Sequence, residues 1–301
     1  GKGLIGEIPQ ELLHEMKITA KAGSSSKNVM FGLRDYGHVE SFEEWKFWGG
    51  DHTETKASDG FPVRLFNCDE TLQSQELAQY LAEAGQPDVL WVEGQSFPPY
   101  LDQIFSLCPD SFKMLYSKDW EPWKVDGIEK YDLCMVDEEI QRTRIQRNHP
   151  QVRCEIWNKF IDHENTHFPI ETEKIYDICY VAYLRVRKNH ELLFRAAAKL
   201  TDRKLRIVCL GEDRKNYQAK MEALVDELGL DVDFVGEVSK ADVNRFINQS
   251  KMGVMTSVLD AVPRAILEYM ATDVPVLVNG HLRAGTRYVG DKGGLVRDPE
   301  A

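Results

Sequence analysis

Ser257-Val258-Leu259-Asp260-Ala261-Val262-Pro263-Arg264-Ala265-Ile266-Leu267-Glu268, followed by Pro275-Val276-Leu277-Val278, sets two carboxylates eight positions apart across a loop-to-helix junction. Pro263 suits a first helical turn, where its missing N–H costs nothing. Ile266, Leu267 and Met270 give the helix an apolar face, and a turn at Asp273 leads into a buried strand. Asp260 therefore precedes a helix N-terminus, and Glu268 lies between the second and third turns. An ionised carboxylate accepts hydrogen bonds from two neighbouring hydroxyls, the pattern of a sugar or ribose ring. The free N–H groups of a first turn favour anions such as a diphosphate. The plainer reading is a loop Asp and a solvated helix Glu.

The neighbouring segments extend the pattern. Ile178 to Tyr183 reads as a buried strand, and Lys188-Asn189-His190-Glu191 opens an amphipathic helix carrying Leu192, Leu193, Ala196 and Leu200. A basic residue between a strand's C-terminal end and a helix start is well placed for a phosphate. Leu205 to Leu210 is a strand ending in Gly211-Glu212, Met221 to Leu230 is helical, and Val232 to Gly236 is a strand. A short helix over Val243 to Ile247 and a strand over Met252 to Thr256 complete the series. This alternation predicts a doubly wound parallel sheet.

In that order the segments from about Ile178 to the end resemble the C-terminal domain of family 4 glycosyltransferases, which have the two-domain GT-B fold. The resemblance rests on Lys188 after the first strand, the Gly211-Glu212 turn, Phe234-x-Gly236, and the pair Asp260 and Glu268 before Pro275-Val276. In the first half, Met16 to Ala20, Pro87 to Val92, Phe112 to Tyr116 and Tyr131 to Glu138 read as strands. Gly23-Ser24-Ser25-Ser26 reads as a polar loop and Asn28 to Arg34 as a helix. Ile156-Trp157-Asn158-Lys159-Phe160-Ile161-Asp162, with Phe168-Pro169 after it, resembles the family segment that closes the first domain, with Lys159 where Gly is usual.

The resemblance implies an α/β chain of two Rossmann-like, doubly wound domains facing a cleft. Residues 16–168 would form the acceptor-side domain and 169–301 the nucleotide-sugar domain, with 1–15 as an extension. The chain stops after Gly293 to Pro299, where family members continue with further helices, so the second domain reads as truncated. The implied reaction moves a sugar from a nucleotide-diphosphate sugar to a glycan, lipid-linked or small-molecule acceptor. Configuration would be retained, with neither a metal ion nor another cofactor.

Glu268 matches the carboxylate that holds ribose hydroxyls, and Asp260 the one that holds the transferred sugar. The amides of Ala261 and Val262 add donors, and Lys188 neutralises the leaving diphosphate. Gly211 and Val238 line the donor side; Gly23, Ser24, Glu93 and Asp119 line the acceptor side, Asp119 with a catalytic role. Tyr183 stands where the family usually has Arg, so Arg185 or Arg187 is expected to supply that guanidinium. Asp260 is one methylene shorter than the commoner Glu. These departures leave a second reading, an inactive GT-B module that binds a nucleotide-sugar or a partner protein.

His163-Glu164-Asn165-Thr166-His167 offers a third reading, because two His one helical turn apart with an intervening Glu form the zinc-peptidase pattern. That chemistry needs a helix, and Phe168-Pro169 follows at once, where Pro disfavours helical backbone in the residue before it. A pair of exposed histidines is expected instead. Asp231-Val232-Asp233 likewise reads as strand-edge polarity rather than a metal site.

With 301 residues, 43% of them hydrophobic, the chain is long enough for two cores. A net charge of −12 with interspersed signs argues against nucleic acid and against an anionic membrane surface. A local aromatic stretch such as Trp45 to Trp48 leaves peripheral contact with lipid open, and Trp91, Tyr100, Trp120 and Trp123 are candidate platforms for an acceptor sugar. No apolar run reaches the ~20 residues of a spanning helix. Six scattered cysteines without a CxxC predict reduced thiols and a cytoplasmic location.

Overall fold

The computed structural model describes residues 29–30, 33–35, 37–48, 55–58, 61–93, 99–117, 121–157, 159, 161–214, 216–260, 262–289 and 294–296. The chain divides into two compact units, Gly1–Phe160 and Ile161–Ala301. The division falls ahead of the 168/169 boundary expected from sequence. The connecting segment bonds to the second unit: the Phe168 and Ile170 amides donate to Asn244 and Asn248, at 3.2 and 2.7 Å.

In the first unit, β1 (Glu44–Trp48), β2 (Thr55–Ser58) and β3 (Phe61–Asn67) form a sheet of order β1-β3-β2. A second, fully parallel sheet runs β4 (Val89–Glu93), β5 (Phe112–Tyr116), β6 (Leu133–Val136) and β7 (Cys154–Ile156). Helices α1 (Gln75–Ala84), α2 (Pro99–Leu107) and α3 (Glu139–Asn148) connect these strands. Ser74 caps α1 by accepting the Leu77 amide, and Leu77 and Leu81 are buried on one face. β5 and β6 fall within the expected segments and β4 runs one residue past its own, to Glu93, whereas the expected strand at 16–20 and the loop at 23–26 lie outside the described residues.

The sheet β1-β3-β2 has no counterpart among the expected strands, and it corrects the reading of the aromatic run. Trp45 is buried edge-on against Phe66 and Tyr80, and Phe47 stacks on Phe66 and Tyr100 at 5.4 and 5.2 Å. The indole N–H of Trp45 and the Tyr80 hydroxyl both donate to Glu43, which also pairs with Arg64. These rings belong to the core of the unit and do not form a lipid-facing surface. Tyr100 and Trp123 are likewise packed in or against that core, while Trp91 lies edge-on to Tyr116 and Trp157.

Lys159 enters a buried polar group at the C-terminal end of this sheet. Its ammonium lies 2.9 Å from the Asp137 carboxylate and donates to the Tyr116 hydroxyl at 2.7 Å; that hydroxyl donates to Asp137. The Asp137 side chain is 1% exposed. Removing one partner of such a pair strands a desolvated charge at a cost of about 3–5 kcal/mol. Lys159→Met is therefore expected to destabilise the protein by about that amount in urea unfolding, and Asp137→Asn in the same chain to restore part of the loss.

The second unit is one six-stranded parallel sheet. Its strands are β8 (Tyr176–Val181), β9 (Arg206–Leu210), β10 (Asp231–Gly236), β11 (Ser250–Met255), β12 (Val276–Asn279) and β13 (Gly294–Val296). Helices α4 (His190–Ala198), α5 (Gln218–Leu228), α6 (Lys240–Asn248), α7 (Arg264–Ala271) and the short α8 (Thr286–Val289) alternate with them. The apolar runs Ile178–Tyr180 and Ile207–Leu210 are buried throughout, as expected for strands covered on both faces. Strand order is β10-β9-β8-β11-β12-β13, so the winding reverses between β8 and β11. Ligands of such sheets sit outside the strands' carboxyl ends at that reversal.

Candidate functional site

Two loops leave the carboxyl ends at the reversal, residues 182–189 after β8 and 256–263 after β11. They are tied together through backbone carbonyls. Thr256 donates its hydroxyl to the Lys188 and Asn189 carbonyls at 3.1 and 2.8 Å, and the buried Tyr180 hydroxyl also donates to the Lys188 carbonyl. Asn189 takes a left-handed conformation (φ 54°, ψ 48°), which Asn tolerates better than most residues, and this turns the chain into α4.

Helix α7 is seated on the sheet by Tyr269. Its hydroxyl accepts the Val181 amide at 2.8 Å and donates to the Cys179 carbonyl at 2.9 Å. Gly253 in β11 leaves room for the ring, since a Cβ there would lie 2.5 Å from it. Glu268, one residue before Tyr269 in the same helix, thereby holds a set place relative to β8.

The structure brings Lys188, Asp260, Arg187 and Arg185 together. The Lys188 ammonium pairs with one carboxylate oxygen of Asp260, and Arg187 lies 3.5 Å from the other. Asp260 and Lys188 side chains are largely buried, at 8% and 10% exposure, while Arg187 is open at 43%. Burial lowers the Lys188 pKa, opposed by Asp260 and assisted by Arg187 and Arg185. Glu268 faces His167, whose Nε2 is 4.0 Å from its carboxylate. Burial holds His167 below the ordinary imidazole range, against the pull of Glu268.

Gly211 follows β9 with φ 148° and lies against the Ala182 carbonyl. Val262 is buried, and Val238 follows β10, separated from the reversal by β9. Glu93 is buried at the end of β4 in the first unit. Gly23, Ser24, Asp119 and Ala261 lie outside the described residues, as does Trp120.

The His163–His167 stretch does not form the helix that a zinc site would need. Residues 163–166 are a turn, with Asp162 accepting the Asn165 amide at 2.9 Å and the Thr166 hydroxyl donating back to the Asp162 carbonyl. The expectation of two exposed histidines also needs correction. His163 is exposed, but His167 is 4% exposed because it packs toward Glu268.

Two residues join the site without having been marked in the sequence. Arg214, in the loop after β9, lies with its guanidinium carbon 3.9 Å from the Tyr183 ring centroid. Its position three residues after Gly211 was the available signal. His190 is wholly buried beneath Lys188, its ring centroid 4.4 Å from that of Tyr180, and neither ring nitrogen has a hydrogen-bond partner among the described residues.

Burial, with Lys188 beside it, pushes the His190 imidazole from its ordinary 6.5 down to about 3. Between these pH values the unfolded chain binds a proton that the folded chain refuses. The stability contribution is therefore full above about pH 6.5 and is lost as pH falls toward about 3. The slope reaches ~1.4 kcal/mol per pH unit. In urea unfolding at pH 7 and pH 5, His190→Phe is expected to flatten the acid limb by about 2 kcal/mol.

Residues 162–300 match the family described as Glycosyl transferases group 1. Solved structures share the fold over nearly the whole chain at low identity. Alr3699/HepE from Anabaena, solved in complex with UDP and glucose, is 14% identical over 92% of this chain and 83% of its own, with a TM-score of 0.65. Sucrose-phosphate synthase from Thermosynechococcus elongatus is 14% identical over 93% and 82%, at 0.68. The lipopolysaccharide outer core galactosyltransferase WaaB is 16% identical over 93% and 84%, at 0.65. No curated protein sequence matches the chain. The α/β units are those of the GT-B glycosyltransferase fold.

Proposed function

Given that residues 162–300 match the glycosyl transferases group 1 family, we propose that the chain transfers a sugar from a nucleotide-diphosphate sugar to an acceptor. Configuration is retained and no metal ion takes part. The observation that carries this reading is the buried Lys188–Asp260 pair at the strand reversal, with Arg187 beside it. When the bond from the anomeric carbon to the diphosphate oxygen breaks, negative charge grows on that oxygen. Lys188 and its neighbouring guanidinium groups stabilise it without reorganising. Asp260 accepts a hydroxyl of the transferred sugar, and Glu268 accepts the ribose hydroxyls. HepE crystallised with UDP and glucose makes UDP the first nucleotide to try. The described cysteines are free, and most are buried, which suits a reducing compartment such as the cytoplasm. No helix among the described residues is long and apolar enough to cross a membrane.

One observation favours a second reading, an inactive module that binds a nucleotide-sugar. Tyr183 occupies the position where the resemblance leads one to expect Arg, and it is 42% exposed.

A thermal-shift panel of UDP, GDP, ADP, TDP and their sugars, with and without EDTA, tests both. Ligands that bind only the folded state raise the melting temperature, by an amount that grows with concentration over Kd. The expected result is a shift with one nucleotide, unchanged by EDTA and lost in Glu268→Ala. Donor hydrolysis or transfer then separates the enzyme from the inactive module. No shift with any nucleotide would defeat both readings.

A further inference from the structure

The segment that enters the second unit folds into a tight turn that fixes one imidazole. The Asp162 carbonyl accepts the Thr166 and His167 amides at 3.2 and 3.1 Å and the Thr166 hydroxyl at 2.7 Å. Beyond His167 the chain is held by α6. Asn244 and Asn248 accept the Phe168 and Ile170 amides, and Asn248 donates back to the Phe168 carbonyl. His167 is thus tied down on both sides in sequence, and its side chain is 5% exposed.

The hydrogens of this turn decide what the ring shows to Glu268. Thr166 has one hydroxyl hydrogen, and it goes to the Asp162 carbonyl. Its oxygen is left to accept from His167 Nδ1, 2.9 Å away. In the neutral ring Nδ1 then carries the hydrogen, and Nε2 presents a bare lone pair to the Glu268 carboxylate at 4.0 Å. Two acceptors face each other with no hydrogen between them, so the ring repels the carboxylate. A proton on Nε2 turns the same contact into an ion pair. Lys240 at the start of α6 and Arg264 at the start of α7 oppose that proton, whereas Glu268 and Asp162 favour it. Burial is the largest influence and opposes it as well, so the ring is neutral at pH 7.

We infer that His167 is a positioning residue for Glu268, turning its carboxylate toward a ligand while the ring is neutral and drawing it back once the ring is protonated. Ribose hydroxyls and the imidazolium compete for the same carboxylate oxygens. Ligand and proton therefore bind antagonistically, and by linkage each weakens the other by the same factor. Neither a zinc-peptidase motif nor a pair of surface histidines accounts for the burial of His167 against Glu268, whereas this role does. The role rests on the proposed assignment of Glu268 to the ribose.

The test is calorimetric titration of the full chain with UDP and, separately, with inorganic pyrophosphate, at pH 7 and pH 5. His167→Asn keeps a donor for Thr166 and removes the titrating nitrogen that faces Glu268. Phosphate protonation is common to both chains, so wild type is compared with the variant. Acidification is expected to weaken UDP about 3- to 10-fold more in wild type than in His167→Asn. Pyrophosphate, which has no ribose, should show no such difference. A merely structural role for His167 would move both ligands alike. The imidazole NMR signal of His167 gives a second readout that needs no variant. Saturating UDP should lower the ring's titration midpoint, whereas the charge of a bound diphosphate alone would raise it. A midpoint that UDP leaves unchanged or raises overturns the role. Equal acid sensitivity toward UDP in wild type and His167→Asn, with UDP binding lost in Glu268→Ala, overturns it too and leaves Glu268 at the ribose. UDP binding that survives in Glu268→Ala, or is absent from the wild-type chain, would sink the ribose assignment and this role together.

Discussion

Lys188→Met is expected to lower turnover by about 10²–10³-fold, the scale at which loss of one preorganised charge on a developing anion is felt. The effect should fall on kcat, because that charge is needed most when the diphosphate leaves. Three features concentrate it at this residue. The side chain is 10% exposed, so water cannot replace the ammonium. Its carbonyl is anchored by Thr256 and Tyr180, so the loop keeps its course after the change. Its partner Asp260 is itself 8% exposed, so the carboxylate loses its closest cation while desolvated, keeping Arg187 at 3.5 Å and the Ser257 hydroxyl at 3.5 Å. A loss of stability of up to about 3 kcal/mol is expected alongside, smaller than for an isolated buried pair because Arg187 remains. Steady-state kinetics at saturating donor check the first expectation and urea unfolding the second. Turnover within tenfold of wild type would remove Lys188 from the reaction.

Gly211→Ala should do the greatest damage for the smallest change of atoms. A methyl group at this position would lie 2.2 Å from the Ala182 carbonyl oxygen and 2.6 Å from its carbon, both backbone atoms that cannot swing away. The backbone there has φ 148°, which an L side chain rarely adopts. Conformational strain of about 1–3 kcal/mol and a steric clash of similar size together predict a destabilisation of about 3–5 kcal/mol. The amides of Ala182 and Leu184 donate to the Leu210 and Glu212 carbonyls at 2.9 and 3.0 Å, and these bonds between the two loops must shift to relieve the clash, so nucleotide binding should weaken even where the variant remains folded. Urea unfolding and titration with UDP read the two effects separately. A change of less than 1 kcal/mol would show that the close approach of the two loops is not maintained in solution.

Much of the second unit was legible in the sequence. Its strands are near-continuous apolar runs because a parallel sheet is buried on both faces, and such runs stand out wherever they are bounded by turns. Tyr176–Val181, Arg206–Leu210, Asp231–Gly236 and Ser250–Met255 lie within a few residues of the expected segments. Asp260 and Lys188 were legible too, as polar residues in loops following buried strands. The sheet of β1 to β3 was not. Its strands mix aromatic and charged residues, and Trp45 reads as a surface ring until Phe66, Tyr80 and Glu43 are brought around it.

From order and composition alone the chain determines two α/β halves, a doubly wound second unit and the pair of carboxylates at Asp260 and Glu268. These follow from local properties: apolar periodicity, turn residues and the sign of each charge. Only the tertiary structure decides what each charge meets. Lys159 closes on Asp137, His167 turns inward to Glu268, His190 loses water beneath Lys188, and Arg214 crosses to Tyr183. Each of these contacts joins separate strands or loops, and its strength depends on how much water the packing excludes, a quantity that no spacing along the chain records.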